Sequence, residues 1–235
     1  MCGIYGIASL SQKPVSDDAL LERMARVIIH RGPDDQGDYR DVGIGFGMRR
    51  LSIIDLQGGH QPIPNEDQTI WAVCNGEIYN FKALRADLEA KGHRFRCNSD
   101  TEVIVHLYEE RGLDFVKQLR GMFALALWDK ARQRLVLARD RLGKKPLYIR
   151  REPDRFMFAS EIKSILQVEG VPRRLDFQAL QEYLALGYVP APRTLFEGIE
   201  KVLPGHYLMI EKGQIRDREY WDIESGADEN CSEPE

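Results

Sequence analysis

The sequence predicts an α+β fold in four layers (αββα), two antiparallel sheets face to face with helices outside them. Three observations carry that expectation. The run GMFALALWD (121–129) is apolar without alternation, so the strand it forms must be covered on both faces. The next apolar run, RLVLAR (134–139), follows through Asp129-Lys130-Ala131-Arg132, a link short enough to force antiparallel neighbours. Three other segments carry apolar stripes at helical spacing, and these supply the outer layers.

In chain order, Leu20, Leu21, Met24, Val27 and Ile28 form the first helical stripe, entered through Ser16-Asp17-Asp18 as N-cap and acidic first turn. A strand is expected at IGFGM (44–48) and another at TIWAVC (69–74). Phe81, Leu84 and Leu88 form a second helix stopped at Gly92, and Val103, Ile104, Leu107 and Tyr108 a third stopped at Gly112. After the hairpin 121–139 come PLYI (146–149) and FMFAS (156–160). From about residue 166 the texture changes: Asp176–Leu186 predicts a helix, broken by the Gly/Pro-containing stretch 187–192. A last hairpin is expected through HYLMI (206–210) and REYW (218–221), turning at Lys212-Gly213. Beyond Trp221 the chain holds six acids and no base, the composition of a disordered tail. The expected division is a core over 2–165, an extension over 166–221 and the tail over 222–235, without internal repeats.

At 235 residues, 43% hydrophobic and 30% charged, the composition is that of a soluble globular protein, and the net charge of -4 argues against a nucleic-acid or membrane-surface partner. No apolar run approaches the ~20 residues of a membrane span, and no signal peptide opens the chain. Cys2, Cys74, Cys97 and Cys231 form no CxxC pair and have no histidine spacing suited to zinc. Free thiols in a reducing cytoplasm are the expectation, without a metal site. The five histidines, His30, His60, His93, His106 and His206, are scattered, and none is singled out as a base.

The chemistry begins at MCGIYGIAS. A small residue after the initiator allows Met1 to be removed, leaving Cys2 with nucleophile and base on one residue: a thiol, and an α-amine of pKa ~7.7–8.0 suited to moving its proton. Four polar signatures follow. HRGPDDQG (30–37) has good turn chemistry. Arg49-Arg50-Leu51-Ser52-Ile53-Ile54-Asp55 places an arginine fork in an apolar strand, either as a structural ion pair or to grip a carboxylate. Asn75-Gly76-Glu77 ends a strand, either as a turn or as a two-donor oxyanion hole made of a side-chain amide and a backbone N–H. Asn98-Ser99-Asp100-Thr101-Glu102 opens the third helix, where Ser99 or Asp100 could cap it or an acid could hold an ammonium. Cys74 and Cys97 are expected to pack the core.

MCGIYGI, HRGPDDQG, RRLSIID, NGEIYN and NSDTEVI, in this order, resemble the glutaminase domain of class II glutamine amidotransferases, which have the N-terminal-nucleophile hydrolase fold. GMFALALWD, ARDRLGKKPLY and ASEIKSIL are similar to glutamine-dependent asparagine synthetase; relatives that make glucosamine-6-phosphate usually carry Arg-Trp-Ala-Thr-His where this chain has RRLSIID. The resemblance covers roughly 2–221. It implies that Cys2 attacks the side-chain amide of glutamine, releasing ammonia and then glutamate, with Asn75 and Gly76 as oxyanion hole. It also implies that Arg50 holds the α-carboxylate, with the backbone of Leu51, Ser52, Ile53 and Ile54 nearby, and that Glu77 and Asp100 hold the α-ammonium. Arg31 would belong to a loop over the site. Arg139, Asp140 and Gly143 match a motif without assignable chemistry, for which a turn held by an Arg–Asp pair is an equal account.

Asparagine synthetases normally continue into a domain that adenylates aspartate with ATP and Mg, through a phosphate loop resembling Ser-Gly-Gly-x-Asp-Ser. Ser225-Gly226-Ala227-Asp228 lacks the second glycine, and no other glycine-rich loop follows a strand and opens a helix. No cofactor is therefore expected in this chain. The expectation is the ammonia-producing half, with 166–205 resembling the part that joins the two domains. Two alternatives remain: a glutaminase serving a separate acceptor protein and another product, or a non-catalytic module that binds glutamine.

Overall fold

The computed structural model describes residues 2–11, 18–52, 55 and 58–223. The order of elements is β1 (Gly3–Ser9), α1 (Asp18–Arg26), β2 (Asp35–Asp41), β3 (Ile44–Arg50), β4 (Ile63–Pro64), β5 (Ile70–Ile78), α2 (Phe81–Ala90), α3 (Glu102–Arg111), α4 (Phe115–Gln118), β6 (Gly121–Asp129), β7 (Arg134–Arg139), β8 (Tyr148–Arg151), β9 (Arg155–Ala159), α5 (Ile162–Ile165), α6 (Phe177–Leu186), β10 (Ile199–Lys201), β11 (His206–Glu211) and β12 (Gln214–Glu219). One sheet runs β10-β8-β9-β1-β3-β2 and the other β12-β11-β7-β6-β5-β4. The strand pairs of both sheets are antiparallel.

The non-alternating strands explain the layering. Along β6, Ala124, Ala126 and Trp128 pack between the sheets with Ile4, Phe46, Val73 and Phe158. Phe123, Leu125 and Leu127 face the other way, against Leu88 of α2, Val103 and Leu107 of α3 and Phe115 of α4. On β1, Ile4 and Ala8 enter the central layer, whereas Tyr5 and Ile7 pack under Leu21, Met24 and Ile28. Three apolar layers therefore separate four layers of structure, the expected α+β sandwich. Burial of this kind contributes roughly 25 cal/mol per Å² of apolar surface, which is why both central strands are apolar on both faces.

Residues 166–221 add strands to both sheets: β10 pairs with β8, and β11 with β7. Helix α6 starts where the Asp176 side chain accepts the Ala179 N–H at 3.0 Å. It stops at Gly187, whose φ of 77° is left-handed backbone that glycine adopts without steric cost. Residues 16 and 17 of the expected first N-cap, and the tail from residue 224 on, lie outside the described residues. Among the described residues no helix is long and apolar enough to cross a membrane.

Three local expectations change. The second strand of the last hairpin is β12, which begins directly after the Lys212-Gly213 turn and ends at Glu219 instead of spanning 218–221. Neither Ser99 nor Asp100 caps α3: its N-cap residue is Thr101, without a side-chain cap bond. The Ser99 hydroxyl accepts the Thr101 N–H at 3.2 Å, and Asp100 turns to β5. Arg139 and Asp140 also do not pair to hold their turn. Asp140 instead accepts the N–H groups of Phe123, Leu142, Lys144 and Lys145 at 2.9–3.2 Å. Arg139 donates to the carbonyls of Gly143, Lys145 and Val202. The turn has orphan N–H and C=O groups on opposite sides, and each charged side chain serves one set.

Candidate active site

Cys2 stands immediately before β1, half-buried, and its thiol accepts the Leu51 N–H at 3.4 Å while lying 3.6 Å from the Leu51 carbonyl. β1 and β3 are paired, Gly3 opposite Arg49, so the chain leaving β3 must pass the N-terminus. That pairing brings MCGIYGI and RRLSIID together.

The turn after α1 is laced to the same place. Arg31 donates to the Cys2 carbonyl at 2.8 Å and pairs with Glu161 at 3.1 Å. Burial works against charge on Glu161, but His30, Lys163 and Arg31 around it hold its carboxyl below the usual range. Arg49 donates to the Gly32 carbonyl and Gln36, each at 2.8 Å, and Ser52 N–H reaches Asp34 at 2.9 Å. HRGPDDQG is thus a turn that pins both the N-terminus and the end of β3.

Arg50, Leu51, Gln61, Cys74, Gly76, Glu77, Ser99, Asp100 and Thr101 line with Cys2 a small cleft open to solvent. Arg50 is buried and donates to the Asp55 carbonyl at 2.7 Å, and Asp55 in turn accepts Asn98 N–H at 2.7 Å, joining the second and fourth signatures. Gly76 is required by space: a Cβ there would lie 1.9 Å from the Met122 carbonyl oxygen. The cleft therefore holds the Cys2 thiol and one guanidinium beside two carboxylates, with the Cys74 thiol buried in its wall; guanidinium and carboxylates are the complement of a zwitterionic amino acid.

Asp100 is buried, and its Oδ2 accepts Ile78 N–H at 2.8 Å. Desolvation is the largest influence on its carboxyl and raises it above the usual carboxylate range; the Ile78 N–H opposes that shift and Glu77 adds to it. Asn75 is buried beside the cleft with its Nδ2 3.4 Å from the Ser160 hydroxyl, which also accepts Ile4 N–H at 3.0 Å. Among the described residues the Asn75 Oδ1 has no hydrogen-bond partner. Of the expected site residues, Ile53 and Ile54 lie outside the described residues, Leu51 lines the cleft, and Ser52 is not among its lining residues.

Gln61 was not anticipated. It is buried, takes Cys74 N–H at 2.7 Å and donates to Thr101 at 3.0 Å, tying β5 to the head of α3 behind the cleft. Cys74 is buried, its thiol pushed up by desolvation, as an inert packing cysteine requires. Cys97 donates to Glu102 at 3.0 Å, and burial and that contact push it up to about 12.

The sequence profile described as "Glutamine amidotransferase domain" matches residues 1–221. Asparagine synthetase [glutamine-hydrolyzing] 1 of Bacillus subtilis is 42% identical over 226 residues, covering 94% of this chain and 35% of that protein. Amidase chyE of Penicillium rubens is 41% identical over 240 residues, covering 95% of this chain and 34% of that protein. The chain thus spans about a third of the length of these curated relatives. Among solved structures, glutamine phosphoribosylpyrophosphate amidotransferase of B. subtilis superposes with TM-score 0.63 at 19% identity, over 94% of this chain and 49% of that one, a likeness of fold.

Proposed function

The chain belongs to the glutamine amidotransferase domain family, and from that premise we infer that Cys2, freed of Met1, hydrolyses the side-chain amide of glutamine. The observation that carries this reading is the convergence of Cys2, Arg50, Gly76, Glu77 and Asp100, drawn from four separated signatures, on one cleft.

Arg50 takes the substrate α-carboxylate, and Glu77 and Asp100 take its α-ammonium, which aims the side-chain amide at the thiol. The Cys2 α-amine accepts the thiol proton as sulfur bonds to the amide carbon. The oxyanion that forms is met by Gly76 N–H and the Asn75 amide. Protonation of the leaving nitrogen breaks the C–N bond, ammonia departs, and a glutamyl thioester remains on Cys2. Water then attacks that thioester and releases glutamate, returning the proton to the thiol.

Asn75 serves this step with its amide turned so that Oδ1 accepts the Ser160 O–H. The two amide ends are nearly alike in shape; that orientation satisfies the otherwise unpartnered oxygen and frees Nδ2 as the donor.

The ammonia has to reach an acceptor. We assign it to asparagine formation in a synthetase domain, the activity that the names of the synthetase relatives print; aspartate as acceptor, with ATP and Mg, is what the sequence resemblance implies. An exposed apolar face on and after α6, with Phe177 and Leu184 each 74% exposed and Leu186 and Tyr188 beside them, is of the kind that a neighbouring domain or subunit covers. The relative called an amidase keeps a second reading open, in which the same ammonia source serves another acceptor.

The test is glutamate release from glutamine by protein whose mature N-terminus has been verified by intact mass, beside Cys2→Ala. Release that depends on Cys2 is expected; release retained in Cys2→Ala contradicts the assignment. No release by correctly processed, folded protein would favour a module that only binds glutamine.

A further inference from the structure

We propose that the chain carries a zinc-class metal site, formed by Glu66, His93, His106 and Glu109 on the helical side of the molecule away from Cys2. Spacing in the sequence pointed to no metal, because the residues come from three segments that only the fold assembles. Glu66 lies in the turn between β4 and β5, His93 follows α2, and His106 and Glu109 share a face of α3 at three-residue spacing.

One ligand atom from each of the four lies within 4.8 Å of the other three. His106 Nδ1 is 3.3 Å from an oxygen of Glu66 and 3.3 Å from one of Glu109; His93 Nδ1 is 3.6 and 3.7 Å from the same two carboxylates. Ligand atoms about 2.0–2.1 Å from a tetrahedral zinc are separated by about 3.3–3.4 Å; His106 Nδ1 meets that spacing to both carboxylates, and because Glu66 faces His106 and His93 with different oxygens, a small turn of its part-exposed side chain would close the four around one ion. Two imidazole nitrogens with two carboxylate oxygens fit zinc rather than magnesium or calcium, which take oxygen ligands.

The far side of each ring is an independent observation. His93 Nε2 lies 3.2 Å from Glu110, and His106 Nε2, fully buried and without a hydrogen-bond partner among the described residues, faces Glu102 at 3.7 Å. A carboxylate behind each imidazole, with the other nitrogen aimed at a common point, is how metal-bound histidines are oriented. Glu66 and Glu109 are part-exposed and give an ion its way in. The bound ion would clamp α3, whose preceding residue pair includes Asp100, against the end of α2 and the β4–β5 turn.

Chelator-treated full chain is titrated with Zn²⁺ by calorimetry and with Co²⁺ by visible absorption, and its thermal midpoint is followed with and without Zn²⁺. One equivalent per chain, tetrahedral Co²⁺ bands and a higher midpoint are expected. His93→Ala and Glu109→Gln should each weaken binding at least tenfold without altering metal-free glutamine turnover, and Cys2→Ala should leave binding unchanged. His106→Ala is avoided because that side chain is fully buried. Absence of binding, or binding that survives both substitutions or vanishes in Cys2→Ala, would overturn the proposal and leave a hydrogen-bonded network of imidazoles and carboxylates. Neither result bears on the glutaminase reading, which is assayed without metal.

Discussion

The Asp100 carboxylate accepts the Ile78 N–H at 2.8 Å, which fixes the acid at the head of α3 to the strand that carries Asn75 and Gly76. Asp100 also lines the cleft. Asp100→Asn keeps an acceptor for Ile78 but removes the charge. Glutamine KM should rise about 10- to 100-fold, the loss of one charged hydrogen bond of ~1.5–3 kcal/mol, with a smaller change in kcat. Steady-state kinetics check this; an unchanged KM would remove Asp100 from substrate binding.

The same residue sets a pH dependence. Burial raises the Asp100 carboxyl above its usual range, so its charge is lost earlier on the acid side than for an exposed aspartate. Glutamine KM should therefore climb as pH falls through the raised value, and Asp100→Asn should abolish that limb. For stability the sign is opposite: a raised folded pKa disfavours the folded state above that pKa, and the penalty fades as pH falls toward the ordinary aspartate value. Urea unfolding across acidic pH should show Asp100→Asn closing that difference.

Arg50→Lys tests the grip on the α-carboxylate. A point charge cannot reproduce a planar fork, so KM should rise at least tenfold while kcat stays within a few-fold. A fall in kcat at constant KM would instead place Arg50 in the chemical step.

Ser160→Ala tests how Asn75 is held. Loss of the hydroxyl frees the Asn75 amide to turn its oxygen toward the cleft, so kcat should fall several-fold with little change in KM; Asn75→Ala should lose about 10²–10³ in kcat. Ser160→Thr, which retains the hydroxyl, should recover part of the loss. An equal loss in Ser160→Thr and Ser160→Ala, with an altered midpoint, would make the role one of packing alone.

Asp140→Ala tests the structural account of ARDRLGKK. Four N–H groups lose their acceptor, and buried unsatisfied donors cost about 1–3 kcal/mol each. A large drop in denaturant midpoint is expected, with near-normal KM in whatever fraction remains folded. Full stability with lost activity would reassign the motif to function.

What the sequence revealed and what it concealed divide along physical lines. β6 was legible because a strand covered on both faces cannot alternate, and α6 because Asp176 and Gly187 mark its ends. β2, DQGDYRD, was not read, because it is a polar edge strand with little apolar signal. β1 escaped because glycines interrupt it: at Gly6 a Cβ would meet the Phe158 ring at 2.4 Å, so the residues that allow close approach also erase the pattern. In the site, Cys2, Arg50, Gly76, Glu77 and Asp100 were legible as signatures at element ends. Gln61 and Ser160 were not, since a buried polar side chain acquires meaning only from partners distant in the chain, Thr101 for one and Ile4 for the other. The same holds for His93 and His106, thirteen residues apart and joined only by the packing of α2 on α3.

The central claim is a covalent intermediate on the residue that becomes the N-terminus. Rapid quenching of the processed protein with glutamine, followed by intact and peptide mass analysis, tests it most directly. The account predicts a mass gain of one glutamyl group on the peptide beginning at Cys2, absent from Cys2→Ala and from protein that retains Met1. Steady glutamate release with that gain absent from Cys2, or undiminished in protein that retains Met1, would contradict it.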